Sequence, residues 1–172
     1  SGDVYVHELN IPIMQIDTLN PLLTYNKQIQ DLMNLIYEPL VKIGKNETLE
    51  PMLASEWAKK DSTNWIIKLR KGVRWHNGTL FTAEDVVFTI NELKKEETNS
   101  VFKSNVTNIV SVDILDDYSI SITLNERDDF FMYKLSFPII PKYYFKNGDI
   151  SNEHKNNKPV GTGGYKYILT NE

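Results

Sequence analysis

The sequence predicts an α/β (mixed α+β) domain, and three observations carry that expectation. Period-two and helical apolar patterns take turns along the chain. The composition is that of a globular protein, with 41% hydrophobic and 24% charged residues and only 8 Gly and 7 Pro. A 172-residue chain folded as one domain buries roughly 70% of the surface it would expose unfolded, so a full core is available.

Val4 to Glu8 reads as an opening strand, and Pro12 punctuates the segment after it. Ile29, Leu32, Met33 and Ile36 fall at i, i+3, i+4 and i+7, which predicts an amphipathic helix over about 28–37, stopped near Pro39. Trp65, Ile67 and Leu69 alternate with Ile66, Lys68 and Arg70 as a strand with one partly polar face. Asn77-Gly78 comes next as a tight turn, since both residues tolerate positive φ.

Thr82-Ala83-Glu84-Asp85 opens the clearest helix, with Val86, Val87, Ile90 and Leu93 as its apolar face. Val110-Val112-Ile114 and Ile120-Ile122-Leu124, joined through Asp116-Asp117, predict a hairpin. Asp128-Asp129 is expected to cap a short helix carrying Phe130, Phe131 and Leu135. Pro138 and Pro141 bracket an extended stretch, and 146–158 reads as a polar loop. Gly161, Gly163 and Gly164 predict a flexible turn into a last strand, Tyr165 to Leu169. No internal repeat or linker is visible. The ends, Ser1-Gly2-Asp3 and Leu169-Thr170-Asn171-Glu172, look cut, so the chain is expected to be an excerpt of a longer protein.

Composition excludes several functions. The net charge is −4, with no block of five like charges and no basic stripe, which argues against nucleic acid as partner. Apolar runs extend a few residues, against about 20 for a membrane span. Cysteine is absent, so thiol chemistry, Cys-ligated zinc and disulfides are excluded.

Candidate chemistry is thin. His7, His76 and His154 lie far apart, and none has a second ligand at helical or strand spacing, so no metal and no cofactor is expected. His76 reads instead as a hydrogen-bonded turn residue. Ser100-Val101-Phe102-Lys103 has the S-x-x-K spacing of acyl-transfer enzymes, but the companion S-D-N and K-T-G elements are missing. The 161–164 run is no dinucleotide fingerprint, since Lys166 stands where the third glycine belongs. Glu84-Asp85, Asp116-Asp117 and Asp128-Asp129 sit where caps and turns need acceptors, and Trp57, Trp65 and Trp75 read as core. The residues by themselves specify a mixed domain without visible catalytic apparatus.

An ordered series of short stretches goes further. It runs Leu19-Asn20-Pro21-Leu22-Leu23, Tyr37-Glu38-Pro39-Leu40-Val41, and Leu49-Glu50-Pro51-Met52-Leu53-Ala54-Ser55-Glu56-Trp57. A long block continues it from Trp65 through Gly72-Val73-Arg74-Trp75-His76-Asn77-Gly78-Thr79 to Phe88, and Pro159-Val160-Gly161-Thr162-Gly163-Gly164-Tyr165 closes it. The set resembles the extracellular solute-binding proteins of family 5, which serve peptide and nickel ABC transporters. The resemblance spans 19–165, and the 65–88 block is its most specific part.

That resemblance implies the N-terminal part of a two-lobed, periplasmic-binding-protein-like (type II) fold. Residues 1–41 would start ligand-binding lobe I, 42–158 would form its accessory subdomain, and 159–172 would return to lobe I. The 65–88 block would be scaffold. The cleft would be lined just after Leu-Asn-Pro, which maps onto Thr24, Tyr25, Asn26 and Lys27, where an extended peptide could add as a strand. Equally, these four could be a loop preceding the 28–37 helix. Two departures stand out. Nickel-type relatives carry an arginine after the leucine-proline, where this chain has Phe137-Pro138-Ile139-Ile140-Pro141. The common Gly-Thr-Gly-Pro-Tyr is Gly161-Thr162-Gly163-Gly164-Tyr165 here, which would loosen the return point.

The implied function is capture of oligopeptides for import, with no bond made or broken. The partners would be a peptide ligand and the ABC permease and ATPase subunits. Alternatives are a nickel, metallophore or dipeptide receptor, or a peptide sensor. Lysine outnumbers arginine 16 to 3, a bias that, with the family, implies a Gram-positive bacterium. The protein would then sit at the extracellular membrane face on an N-terminal lipid, or in a periplasm.

Overall fold

The computed structural model describes residues 8–13, 15–145, 150–151 and 153–168. Helix α1 spans Lys27–Ile36 and buries Ile29, Met33 and Ile36, the spacing that predicted it. The Asn26 side chain accepts from the Gln28 and Ile29 amides at 2.9 and 3.4 Å, satisfying donors that a helix start leaves open. Tyr37 breaks out into extended geometry (φ −110°), and Glu38, preceding Pro39, is disfavoured from turning helical.

A hairpin that no sequence pattern announced comes next. Strands β1 (Val41–Ile43) and β2 (Leu49–Pro51) pair antiparallel. Their connection places Asn46 and Glu47 at φ 60° and 59°. Asparagine tolerates that region and glutamate does not. Glu47 is held there in part by the Tyr133 hydroxyl, which donates to its carbonyl at 2.9 Å.

Strands β3 (Ala54–Lys59), β4 (Asn64–Leu69), β5 (Ile109–Asp116) and β6 (Ser119–Leu124) form an antiparallel sheet in the order β3-β4-β6-β5. Trp65, Ile67 and Leu69 share the buried face with Ile120, Ile122 and Leu124, and Ile67 lies opposite Ile120. Helix α2 (Ala83–Lys94) covers this face with Val86, Ile90 and Leu93 buried, while Val87 packs at the margin. The predicted hairpin is present, but Val110 and Ile114 of β5 point outward. Irregularities between Ile109 and Ser111 and between Ile114 and Asp116 break the alternation on this edge strand.

Other expectations shift in detail. At Asn77-Gly78 only Gly78 adopts positive φ (90°). The Asp128 carboxylate accepts the Phe130 amide at 3.0 Å, and the helix after it is a 3₁₀ turn, Phe131–Leu135, that leaves Phe130 exposed. Trp65 and Trp75 are buried, and Trp57 packs at the edge of the core. The 146–158 stretch contains a short helix, α3 (Glu153–Asn156), whose Asn156 is buried. There the Asn20 side chain donates to the Ile150 carbonyl and to Asn156 Oδ1 at 3.0 and 3.1 Å, anchoring the Leu-Asn-Pro motif. Residues 165–168 form no strand, and Leu169 lies outside the described residues, as does all of the expected opening strand but Glu8.

The largest correction concerns the glycines. Gly161 and Gly163 are a close approach, not a flexible turn. A Cβ on Gly161 would stand 1.9 Å from the Ile36 carbonyl oxygen, and one on Gly163 would stand 2.5 Å from that of Leu35. The Gly163 and Tyr165 amides donate to those carbonyls, Ile36 at 2.7 Å and Leu35 at 3.2 Å, so the segment is pinned without the proline. Gly164 faces open space. Gly161→Ala is expected to destabilise by about 3 kcal/mol, because the obstructing atom is backbone and cannot turn aside. Gly164→Ala should be neutral or stabilising by up to about 1 kcal/mol through the unfolded chain. Thermal melts of the two variants check the contrast.

Candidate functional site

Asp17 organises the segment after Pro21. Its Oδ1 accepts from the Thr24 hydroxyl at 2.7 Å, and its Oδ2 accepts from the amides of Tyr25 and Asn26 at 2.8 and 3.3 Å. The Thr18 amide adds a fourth bond at 2.8 Å. Burial alone would raise the Asp17 pKa, but the Thr24 hydroxyl and the three amides outweigh it and hold the carboxyl below its ordinary value. The loop is therefore folded around a carboxylate before α1 begins.

The four expected site residues take different roles on this frame. Thr24 is buried and spends its hydroxyl on Asp17. Asn26 caps α1 and donates through its side-chain amide to the Gln15 carbonyl at 2.7 Å. Lys27 is exposed and pairs with Asp31 one turn on. Tyr25 is 55% exposed, and its hydroxyl donates to Asn99 Oδ1 at 2.7 Å. Of the four, Tyr25 and Lys27 are thus the two that present their side chains at the surface. Lys27, Pro21, Gln30, Phe102 and Pro138 are among the residues that line a concavity of about 220 Å³.

Asp17 and Asn99 carry no mark in the sequence. Asp17 lies seven residues before Thr24 and Asn99 lies 74 after Tyr25, and neither spacing belongs to a helix or strand, so no local pattern points to either.

The remaining candidates resolve as scaffold. The Ser100 hydroxyl accepts the Phe102 amide at 3.1 Å. Lys103 Nζ donates to the carbonyls of Lys95, Glu96 and Thr98 at 2.6, 2.8 and 3.0 Å, which satisfies the end of α2 and leaves no serine–lysine dyad. Asp85 accepts from the Thr82 amide, the Trp75 indole and the Lys142 amide at 3.0, 3.1 and 2.8 Å. Burial nevertheless pushes its carboxyl above the ordinary range. Asp129 is held down at about 2 by the Arg127 guanidinium and by Lys59. No group of three His, Cys, Asp or Glu side chains suited to a metal occurs among the described residues. His7 lies outside them. A second, wide groove of about 830 Å³ at the end of the sheet is lined by Lys68, Arg70 and Lys71. Its charges are already engaged: Lys68 with Glu56 at 2.7 Å, Arg70 with the Pro51 carbonyl at 3.3 Å, and Lys71 over the Tyr118 ring.

Residues 48–168 match the model of the bacterial extracellular solute-binding proteins, family 5 (middle). The chain belongs to this family. The oligopeptide-binding protein AppA of Bacillus subtilis is 28% identical over 96% of this chain and 31% of its own length. Among solved structures, NikZ from Campylobacter jejuni in complex with Ni(L-His) superposes with a TM-score of 0.81 at 33% identity, covering 92% of this chain and 32% of that one. AppA of B. subtilis in complex with a nonapeptide superposes at 0.81 and 25% identity, covering 92% and 33%. The chain spans about one third of these relatives. Its mixed α/β architecture is that of the type II periplasmic binding fold. The family's members are solute-binding proteins rather than enzymes. No helix among the described residues is long and apolar enough to cross a membrane.

Asp17→Asn is expected to remove part of the Tyr25 loop's anchorage and cost about 1–2 kcal/mol near neutral pH. The sign comes from the depressed pKa: the carboxylate's contribution is full above the ordinary value and is lost as pH falls through the folded one. Melting the wild type and the variant across the acid range should show a shallower acid loss in the variant.

Proposed function

We propose that this chain is the N-terminal part of the substrate-binding component of an ABC importer, which captures oligopeptides outside the cell and delivers them to a membrane permease with its ATPase. The observation that carries the reading is the match to an oligopeptide-binding protein over nearly the whole chain. The cleft side is the exposed surface made by Tyr25 and Lys27 beside the concavity at the start of α1, with Thr24 and Asn26 holding that surface in place. Because Asp17 already engages the Tyr25 and Asn26 amides, a peptide meets the Tyr25 ring and the Lys27 ammonium here before it meets free backbone donors.

The lobe boundaries, 1–41, 42–158 and 159–172, are supported by where the chain returns. Val160 donates to the Tyr37 hydroxyl at 3.1 Å, and Gly163 and Tyr165 donate to Ile36 and Leu35. The excursion from 42 to 158 therefore closes on the residues from which it departed. The second lobe then completes the cleft, and hinge closure over the ligand makes the form the permease accepts. On this reading the 172-residue piece alone binds peptide weakly or not at all. The protein acts at the extracellular membrane face on an N-terminal lipid, or in a periplasm, and needs no cofactor.

A nickel or metallophore receptor is the second reading, favoured by the likeness to NikZ. Against it, Ile139 and Ile140 occupy the place where an arginine is expected, and both are fully buried.

Native mass spectrometry of the full-length protein, purified without refolding, tests the proposal. A ladder of masses that resolves into short peptides on denaturation is the expected result. A single adduct containing nickel or a small chelator overturns it and transfers the cleft residues to a different ligand.

A further inference from the structure

His76 joins the turn before α2 to the returning segment 85 residues later. Its amide donates to the Gly161 carbonyl at 2.8 Å. The Gly161 amide donates to Nδ1 at 3.3 Å, and Nε2 lies 2.8 Å from the Gly163 carbonyl. A ring nitrogen that receives an N–H must be bare, and one that faces a carbonyl must carry hydrogen. One neutral tautomer, protonated at Nε2 alone, satisfies both. The imidazolium cannot, because its second proton would point at the Gly161 amide.

Gly161 and Gly163 press against the backbone at Ile36 and Leu35, with no room even for a Cβ. Among the described residues, two charges bear on the ring's protonation: Lys166 of the returning segment, which opposes it, and Glu38 of the stretch after α1, which favours it.

We propose that His76 is a proton-operated clamp, which when neutral holds both Gly161 and Gly163 to the turn preceding α2 and when protonated loses the Gly161 amide and loosens that hold. Burial of the ring, with Lys166, outweighs the Gly163 carbonyl and Glu38 and sets the pKa below its ordinary 6.5. The sign is therefore fixed: the clamp's contribution is complete above 6.5 and is lost as pH falls below it. The clamp stands whichever ligand the protein carries.

Hydrogen exchange of the full-length protein, monitored by mass spectrometry and corrected for intrinsic rates, tests it. Between about pH 7.5 and pH 5.5, peptides covering 159–165 should lose protection roughly tenfold per unit of pKa depression, while peptides covering β4 stay unchanged. His76→Asn, whose side-chain oxygen still accepts from Gly161, should show no such pH dependence. Two variants tune the clamp without touching it: Lys166→Ala should raise the midpoint of the loss, and Glu38→Gln should lower it. Protection at 159–165 that is independent of pH in the wild type overturns the clamp. So does a loss that persists in His76→Asn, or a midpoint that neither charge variant moves.

Discussion

The fold depends on a contact made entirely of backbone. Where the chain comes back at Gly161 and Gly163, it lies so close to the carbonyl end of α1 that a side chain on either glycine would occupy the position of an oxygen. That closeness lets the Gly163 and Tyr165 amides satisfy the Ile36 and Leu35 carbonyls, which would otherwise end the helix without partners. It also brings the returning segment within reach of His76, so three elements far apart in sequence share one set of hydrogen bonds. An apolar contact tolerates substitution by repacking, whereas a backbone approach at this distance admits one residue type.

A second node organises the other end of the same block. Asp85 sits at the first turn of α2, buried, and its two oxygens take donors from the helix start, from the Trp75 indole and from the Lys142 amide. Burial works against its charge, and the hydrogen bonds only partly offset that. What the carboxylate provides is position. It aligns the 73–81 turn, α2 and the stretch after Ile140 on a single point. The most recognisable part of the sequence, 65–88, is therefore the part that assembles the scaffold, and it contributes no residue to the concavity beside Lys27. A motif that identifies a family need not touch the ligand.

This division explains what the sequence made legible. α1, β4, α2 and β6 each bury an apolar face of regular period, and each was readable from that period, whereas β5 was readable as a strand although its irregularities turn Val110 and Ile114 outward. The β1–β2 hairpin was not, because its strands are three residues long and its turn uses Glu47 where a glycine would have announced it. Gly161 and Gly163 were visible as glycines, yet a glycine required by crowding and one required by flexibility look identical in a sequence. The candidate site was the least legible part. Thr24 and Asn26 are held by Asp17, and Tyr25 by Asn99, through pairings that exist only after folding.

The site's dependence on Asp17 also bears on how ligand is met. A loop whose amides were open to solvent would be a template for any extended chain, this protein's own copies included. Folding those amides onto a carboxylate removes that hazard, and on the proposed reading it leaves recognition to the Tyr25 ring and the Lys27 charge. These side chains suit ligands of varied sequence, since an aromatic face and a flexible ammonium impose little on what lies against them. On the same reading, selectivity is then the business of the surface that closes over them. The backbone bonds at the carbonyl end of α1 hold the Gly161 seam in place, and on the proposed reading closure then meets a surface already formed.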